Sequence, residues 1–229
     1  MTDQPPERLE RDVPFARRQR ERVGDLWARM LAHEFLLRTR DGTISREAFA
    51  RWLQQDYLFV EGGLRFLALL LGRAPREHRD VLADAIQALR AELRLFEERA
   101  HATGIAMGAV EPAFVTHAYL QFLAATAAVG SYEQGLTVLY VAERAYLESW
   151  RVVKEGIAED SPWRPFVDNW TSEEFAAYVA SLETLLDELA AGAGPREQAA
   201  MAEAFELTVR YELAFWDMAL GGATWPSCD

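Results

Sequence analysis

Apolar residues along this chain recur at i, i+3, i+4 and i+7 over long stretches, and period-two alternation persists nowhere. That spacing lines the apolar side chains along one face of a 3.6-residue helix and predicts an all-α chain. Punctuation residues divide the pattern. A first helix is expected from about Pro14 to Leu37, ending before the turn Asp41-Gly42-Thr43. Ser45 is placed to cap a second helix that runs to about Leu71 and is broken by Gly72 and Pro75. A third helix spans about Glu77 to Ala102 and stops at Gly104.

Glu111-Pro112 is expected to open a fourth helix, because proline suits the first helical turn. Gly130 ends it, and Ser131 with Gln134 forms a capping box for a fifth helix reaching Lys154. Ser161-Pro162 begins a short aromatic helix through Trp163 and Phe166. Thr171 with Glu174 reads as another capping box, leading to about Ala190. After the break Gly192 to Pro195, a last helix covers Arg196 to about Leu220. Linkers are short and no composition shift divides the chain, which predicts one domain over 1–229, a bundle of seven to eight helices. The ends, about 1–13 and 221–229, are expected to be flexible tails.

Composition narrows the class. Half of the 229 residues are hydrophobic and 11% are aromatic, enough for a sizeable core. No apolar run approaches the ~20 residues that span a bilayer, and no apolar segment follows the charges from Glu7 to Arg11. A soluble cytoplasmic protein without membrane association is expected. The net charge of −12 argues against nucleic acid as a partner, and the run Arg17 to Arg22 reads as a solvated helix face. Cys228 is the only cysteine, so neither a disulfide framework nor a cysteine metal cluster can form within one chain.

Chemistry in a helical bundle has to come from side chains projecting inward. Three acids stand in aromatic surroundings on three helices. Asp56 has Trp52 and Phe59 at i−4 and i+3; Glu143 has Leu139, Tyr146 and Trp150 on its face; Glu212 has Phe215 and Trp216 at i+3 and i+4. Burial against rings raises a carboxyl pKa towards the range useful for proton transfer. For Glu143 the plain alternative is an ion pair with Arg144, and any of the three could instead be a rim position. If they converge, they would bind an amine-bearing flat ring. The histidines His33, His78, His101 and His117 show no metal-binding spacing, Glu97 with His101 fits a solvated helix pair better than a metal site, and no phosphate-binding glycine loop occurs. Gly62-Gly63 suits close helix packing or a kink beside a pocket.

With these residues in view, the chain resembles the TenA family, also called thiaminase II, of the haem-oxygenase-like fold. The resemblance runs from about Trp27 to Met218 and is carried by His33-x-Phe35, Asp41-Gly42-Thr43, Phe49 through Gln55-Asp56-Tyr57, Thr116-His117-x-Tyr119, the Gly130 to Tyr146 helix, and Tyr211-Glu212-x-x-Phe215-Trp216-x-Met218. It implies hydrolysis of an aminopyrimidine during thiamin salvage, with no cofactor or metal and a homotetramer or homodimer as the assembly. Asp56 would hold the pyrimidine amino edge, Glu212 would act as acid/base, and Tyr146 would line the site. The family's cysteine nucleophile falls on Ala142, so the resemblance is to a cysteine-lacking branch, in which Glu143 would take part in catalysis. Phe59 and Phe114 stand where tyrosines are usual, with Trp170 near a third; Tyr57 and Phe215 complete the expected pocket wall. Formylaminopyrimidine or aminomethylpyrimidine then suits the chain better than thiamin. A binding protein for a flat heterocycle and a haem-oxygenase-like oxidoreductase, with His33 or His117 towards a haem, are the alternatives.

Overall fold

The computed structural model describes residues 13–108, 110–222 and 225. Among them are ten α-helices: α1 (Phe15–Arg22), α2 (Gly24–Leu31), α3 (Glu34–Arg40), α4 (Arg46–Leu71), α5 (Arg79–Thr103), α6 (Phe114–Val129), α7 (Tyr132–Lys154), α8 (Arg164–Trp170), α9 (Glu173–Gly192) and α10 (Pro195–Gly221). A 3₁₀ turn, Arg76–His78, leads into α5, and no strand occurs among the described residues. The expected first helix is a bent rod in three pieces, and counting it as one leaves eight helices. Its second break is made by His33, whose ring nitrogen accepts from the Phe35 amide at 3.1 Å and so caps α3. Histidine is outside the usual capping set, which hides this break from the sequence.

Several expected boundaries are found where a local side chain or backbone supplies the cap. Ser45 accepts from the Ala48 amide at 3.1 Å, Gly104 turns into the left-handed region at φ +67°, and Ser131 with Gln134 closes a capping box. Two differ. The cap of α9 is Ser172, which accepts from the Phe175 amide, while the Thr171 hydroxyl donates back to the Val167 carbonyl and closes α8 instead. Glu111-Pro112 lies outside α6, which begins at Phe114 because Gln55 of α4 supplies its cap. The Gln55 Oε1 accepts from the Ala113 amide at 2.8 Å and from the Thr116 hydroxyl at 2.7 Å.

The long helices α4 and α7 lie at the centre. α4 packs on α5, α6 and α10, and α7 packs on α10, α9, α3 and α8. Their shared face is an aromatic pile in which Trp52 meets Trp150 at 5.0 Å and Trp150 stacks on Trp170 at 5.2 Å, all three buried. Close approach relies on small residues. A Cβ on Gly135 of α7 would lie 2.6 Å from Leu70 Cδ1 of α4, and one on Gly63 would lie 3.3 Å from Leu89 Cδ1 of α5.

The basic run is neutralised by acids around it, with Arg17 paired to Glu21, Arg20 to Glu148 and Arg22 to Glu206. No helix among the described residues is long and apolar enough to cross a membrane. Cys228 and most of the two expected tails lie outside the described residues.

Candidate functional site

A cavity of about 60 Å3 lies between α4, α5, α6, α7 and the end of α8. Its wall is mostly aliphatic and aromatic, and it carries three carboxyl groups: Asp56 from α4, Glu92 from α5 and Glu143 from α7. Phe59, Tyr146 and Trp170 supply the rings, and Gly63 and Ala142 leave room between them. No Arg, Lys or His is among the described residues that line it.

Asp56 is fully buried. Its Oδ1 accepts from the Tyr146 hydroxyl at 2.5 Å, and its Oδ2 has no hydrogen-bond partner among the described residues. Burial holds the Asp56 carboxyl well above the usual range; the Tyr146 bond opposes this, and the nearby Glu92 and Glu212 reinforce it. Tyr146 is oriented by rings on two sides, Trp170 at 5.4 Å and Trp216 at 5.6 Å. Burial, with Asp56 beside it, raises the Tyr146 hydroxyl well above its ordinary pKa, so it remains a donor.

Glu143 stands at the cavity wall, where it keeps part of its accessible surface. It makes no ion pair with Arg144, whose guanidinium pairs with Glu148 at 2.7 Å and Glu183 at 3.1 Å. Its side-chain hydrogen-bond partner among the described residues is Tyr178 of α9, with the hydroxyl at a long 3.5 Å. Burial pushes the Glu143 carboxyl well up, and Glu92 and then Glu212 push it further.

Glu212 is 1% exposed and accepts from the Tyr119 hydroxyl at 2.7 Å. Burial raises its pKa to about 8 against the pull of that bond. Glu212 is not among the residues that line the cavity. Phe59, which does line it, packs on Tyr119 at 4.7 Å and on Phe215 at 5.7 Å, and these two form a layer behind the wall with Glu212.

Phe215, expected in the wall, is thus one layer behind it, and two other expected wall residues fall elsewhere. Tyr57 is one residue past Asp56, about 100° round the helix, and its hydroxyl donates to exposed Glu97 at 3.0 Å. Phe114 is 48% exposed at the start of α6, edge-on to Trp225 at 5.3 Å. The two histidines weighed as haem ligands are also engaged away from the cavity. His33 caps α3 and meets Asp217 at 3.0 Å, and His117 packs on Trp225 at 5.3 Å. Among the described residues no group of three or more His, Cys, Asp and Glu is arranged to hold a metal ion.

Residues 20–222 match the model of the TENA/THI-4/PQQC family. The chain belongs to this family. It is 29% identical over 222 residues to the aminopyrimidine aminohydrolase of Halalkalibacterium halodurans, a match covering 93% of this chain and 98% of that one. Its structure is similar to that of a TenA homologue from Pyrococcus furiosus, with a TM-score of 0.87, 36% identity, and coverage of 90% and 99% of the two chains. Haem oxygenase 2 from Chlamydomonas reinhardtii shares the fold alone, at TM-score 0.63 and 14% identity over 92% and 100% of the chains. The fold is haem-oxygenase-like.

Within this TENA/THI-4/PQQC member, the sequence reading missed Glu92 of α5. Glu92 is 9% exposed, accepts from the Asn169 side-chain amide at 3.2 Å, and has its pKa raised to about 7 by burial, against the Asn169 and Trp170 side chains. The signal for it was present. Leu82, Ala85, Leu89, Glu92 and Phe96 follow one another at spacings of three and four, so Glu92 occupies a core position of an amphipathic helix. Its sequence neighbours Arg90, Arg94, Glu97 and Glu98 are charged, so Glu92, with the single ring Phe96 near it, lacks the aromatic surroundings that mark Asp56, Glu143 and Glu212.

Proposed function

We propose that this protein is a thiamin-salvage hydrolase that converts an aminopyrimidine breakdown product, a formylamino or aminomethyl pyrimidine, to the hydroxymethyl pyrimidine. The observation that carries the proposal is the Asp56–Tyr146 pair at the wall of a ring-lined cavity, with Asp56 Oδ2 unpartnered. A buried carboxyl kept neutral offers one donor and one acceptor, which matches the ring-nitrogen and amino edge of a 4-aminopyrimidine. Tyr146 fixes the carboxyl in place, and Trp170 and Phe59 offer faces for the ring.

Glu143 is the acid at the wall beside Ala142, where the related cysteine enzymes carry their nucleophile. In the proposed reaction Glu143 takes a proton from water as the water oxygen attacks the substrate carbon. The carbon–nitrogen bond breaks with its electron pair leaving on nitrogen, and a protonated carboxyl returns the proton to the departing amine. Glu212, with its pKa near 8, is protonated at neutral pH and supplies or stores that proton through the layer it shares with Tyr119. Cys228 has no part in the scheme. The assembly the family resemblance carries, a cytoplasmic homotetramer or homodimer, is checked by sedimentation.

The test is hydrolysis of formylaminopyrimidine, aminomethylpyrimidine and thiamin side by side. Turnover of one of the first two, absent on thiamin and reduced at least ~100-fold in Glu143→Gln and Glu212→Gln, is expected. Silence on all three substrates, or cleavage of thiamin in preference to the others, overturns the proposal.

A further inference from the structure

Glu92 has no role in the scheme above, yet it stands at the cavity wall and is nine-tenths buried. An aliphatic residue would satisfy the core stripe of α5 at lower cost, because a carboxyl in that position has to be desolvated. The fold instead supports it. Asn169, next to the wall residue Trp170 at the end of α8, donates its side-chain amide to Glu92 Oε1 at 3.2 Å. The Trp170 side chain also hydrogen-bonds the carboxyl, so two donors from the end of α8 fix its plane and leave its remaining lone pairs for a ligand.

Opposite signs are missing around it. Three carboxyls line the cavity, no basic side chain among the described lining residues faces them, and Asp56 Oδ2 is buried without a partner. With Asp56 kept neutral, a ligand carrying one positive charge would favour the anionic forms of Glu92 and Glu143 and be held by them, whereas a neutral ligand offers them nothing of the kind. The charged neighbour that acts most strongly on Glu143 is Glu92. Glu92 is likewise the charged neighbour that acts most strongly on Asp56, so the three carboxyls share one cavity; with the Asp56–Tyr146 pair assigned to the ring, Glu92 and Glu143 remain for the exocyclic group.

We propose that Glu92, held by Asn169, is a specificity residue that binds the exocyclic ammonium of a primary-amine substrate and so selects the aminomethyl pyrimidine over its neutral amide and alcohol counterparts. It rests on the aminopyrimidine reading of this cavity. An ammonium offers three donors, enough for Glu92 and Glu143 together. A formamide nitrogen carries no charge and gains nothing from a second acid. Once the amine leaves and a hydroxyl takes its place, the charge that held the ligand is gone, which favours release of the product.

The test separates binding from turnover. Calorimetric titration of Glu212→Gln, which is expected to turn the amine over too slowly to interfere, with and without Glu92→Gln, using the aminomethyl pyrimidine and the neutral hydroxymethyl pyrimidine, reads the role of Glu92 directly. The substitution is expected to weaken the amine about 10- to 100-fold, the worth of one charge-assisted hydrogen bond, and to leave the alcohol within about threefold. Asn169→Ala, which keeps the carboxyl and removes its support, should show the same selectivity at smaller size and covers the case in which Glu92→Gln does not fold. Equal losses for both ligands, or no loss for the amine, overturn the assignment. Selective loss of amine binding in a protein that hydrolyses nothing would sink the hydrolase proposal and leave Glu92 as an ammonium-binding residue. Unchanged discrimination in an active enzyme would do the reverse.

Discussion

A carboxyl with a pKa of about 8 is a balance between two neighbours of Glu212. Its burial among Phe215, Trp216 and the core of α10 disfavours the anion, and the Tyr119 hydroxyl at 2.7 Å favours it. Removing the hydroxyl leaves only the first effect. Tyr119→Phe is therefore expected to raise the Glu212 pKa above about 8 while keeping the ring that stacks on Tyr211 at 4.8 Å. In a pH–rate profile the ionisation assigned to Glu212 should move to higher pH, with folding unchanged by circular dichroism. A profile that does not move would detach Glu212 from the rate. Tyr146→Phe acts at the other acid. It strips Asp56 of its one bond, and both Asp56 oxygens are then buried without partners. The expected result is a KM for aminopyrimidine raised about tenfold, the cost of disordering one buried hydrogen-bonding contact, with a smaller change in kcat.

At the scale of the element, the sequence was readable wherever a helix carries its own ending. Ser45, Gly104 and the Ser131–Gln134 box act within a few residues of the backbone they serve, so their meaning is local. The start of α6 was not readable, because its cap is Gln55, from a helix far earlier in the chain. The site divides in the same way. Asp56 and Glu143 reveal themselves as acids inside apolar stripes, whereas Tyr57 lies on the wrong face of a helix whose direction only packing defines. Packing also makes Gly135 a sensitive point. An added methyl there meets Leu70 Cδ1 at 2.6 Å, and Leu70 is fully buried, so it has nowhere to turn. Gly135→Ala gains about 1 kcal/mol of helix propensity but forces α7 away from α4. A net loss of roughly 1–2 kcal/mol in urea unfolding is expected, as for other overpacked cores. A Gly135→Ala/Leu70→Val double variant should recover part of it, and strict additivity of the two changes would show that the contact is not the cause.

Over the whole molecule the buried acids set an unusual dependence of stability on pH. Most carboxyls in folded proteins are stabilised as anions, and stability falls as they take up protons. Here Glu92 and Glu212 have ordinary values of 4.5 when exposed and about 7 and about 8 in the fold, both raised first by burial. Their folded state therefore binds protons more tightly than the unfolded chain. The stability that comes with the neutral forms is fully present below about pH 4.5 and is lost as pH rises through about 7 and about 8. Each tenfold difference in proton affinity between the folded and unfolded chain is worth ~1.4 kcal/mol. The loss is thus on the order of several kcal/mol between mildly acid and mildly alkaline solution. The net charge of −12 works in the same direction, but repulsion between surface charges is screened by salt and burial is not. Urea midpoints are expected to fall from about pH 5.5 to about pH 9 in both low and high salt. Glu92→Gln/Glu212→Gln, neutral at every pH, should lose a large part of that slope, with Asp56 and Glu143 keeping the rest, and be the more stable protein at the alkaline end. A slope that salt abolishes would place its origin on the surface, and one that the double variant retains in full would place it outside these two carboxyls. Because the aminopyrimidine proposal needs Glu212 ready to exchange a proton near neutrality, the flattened stability curve should come with lost turnover.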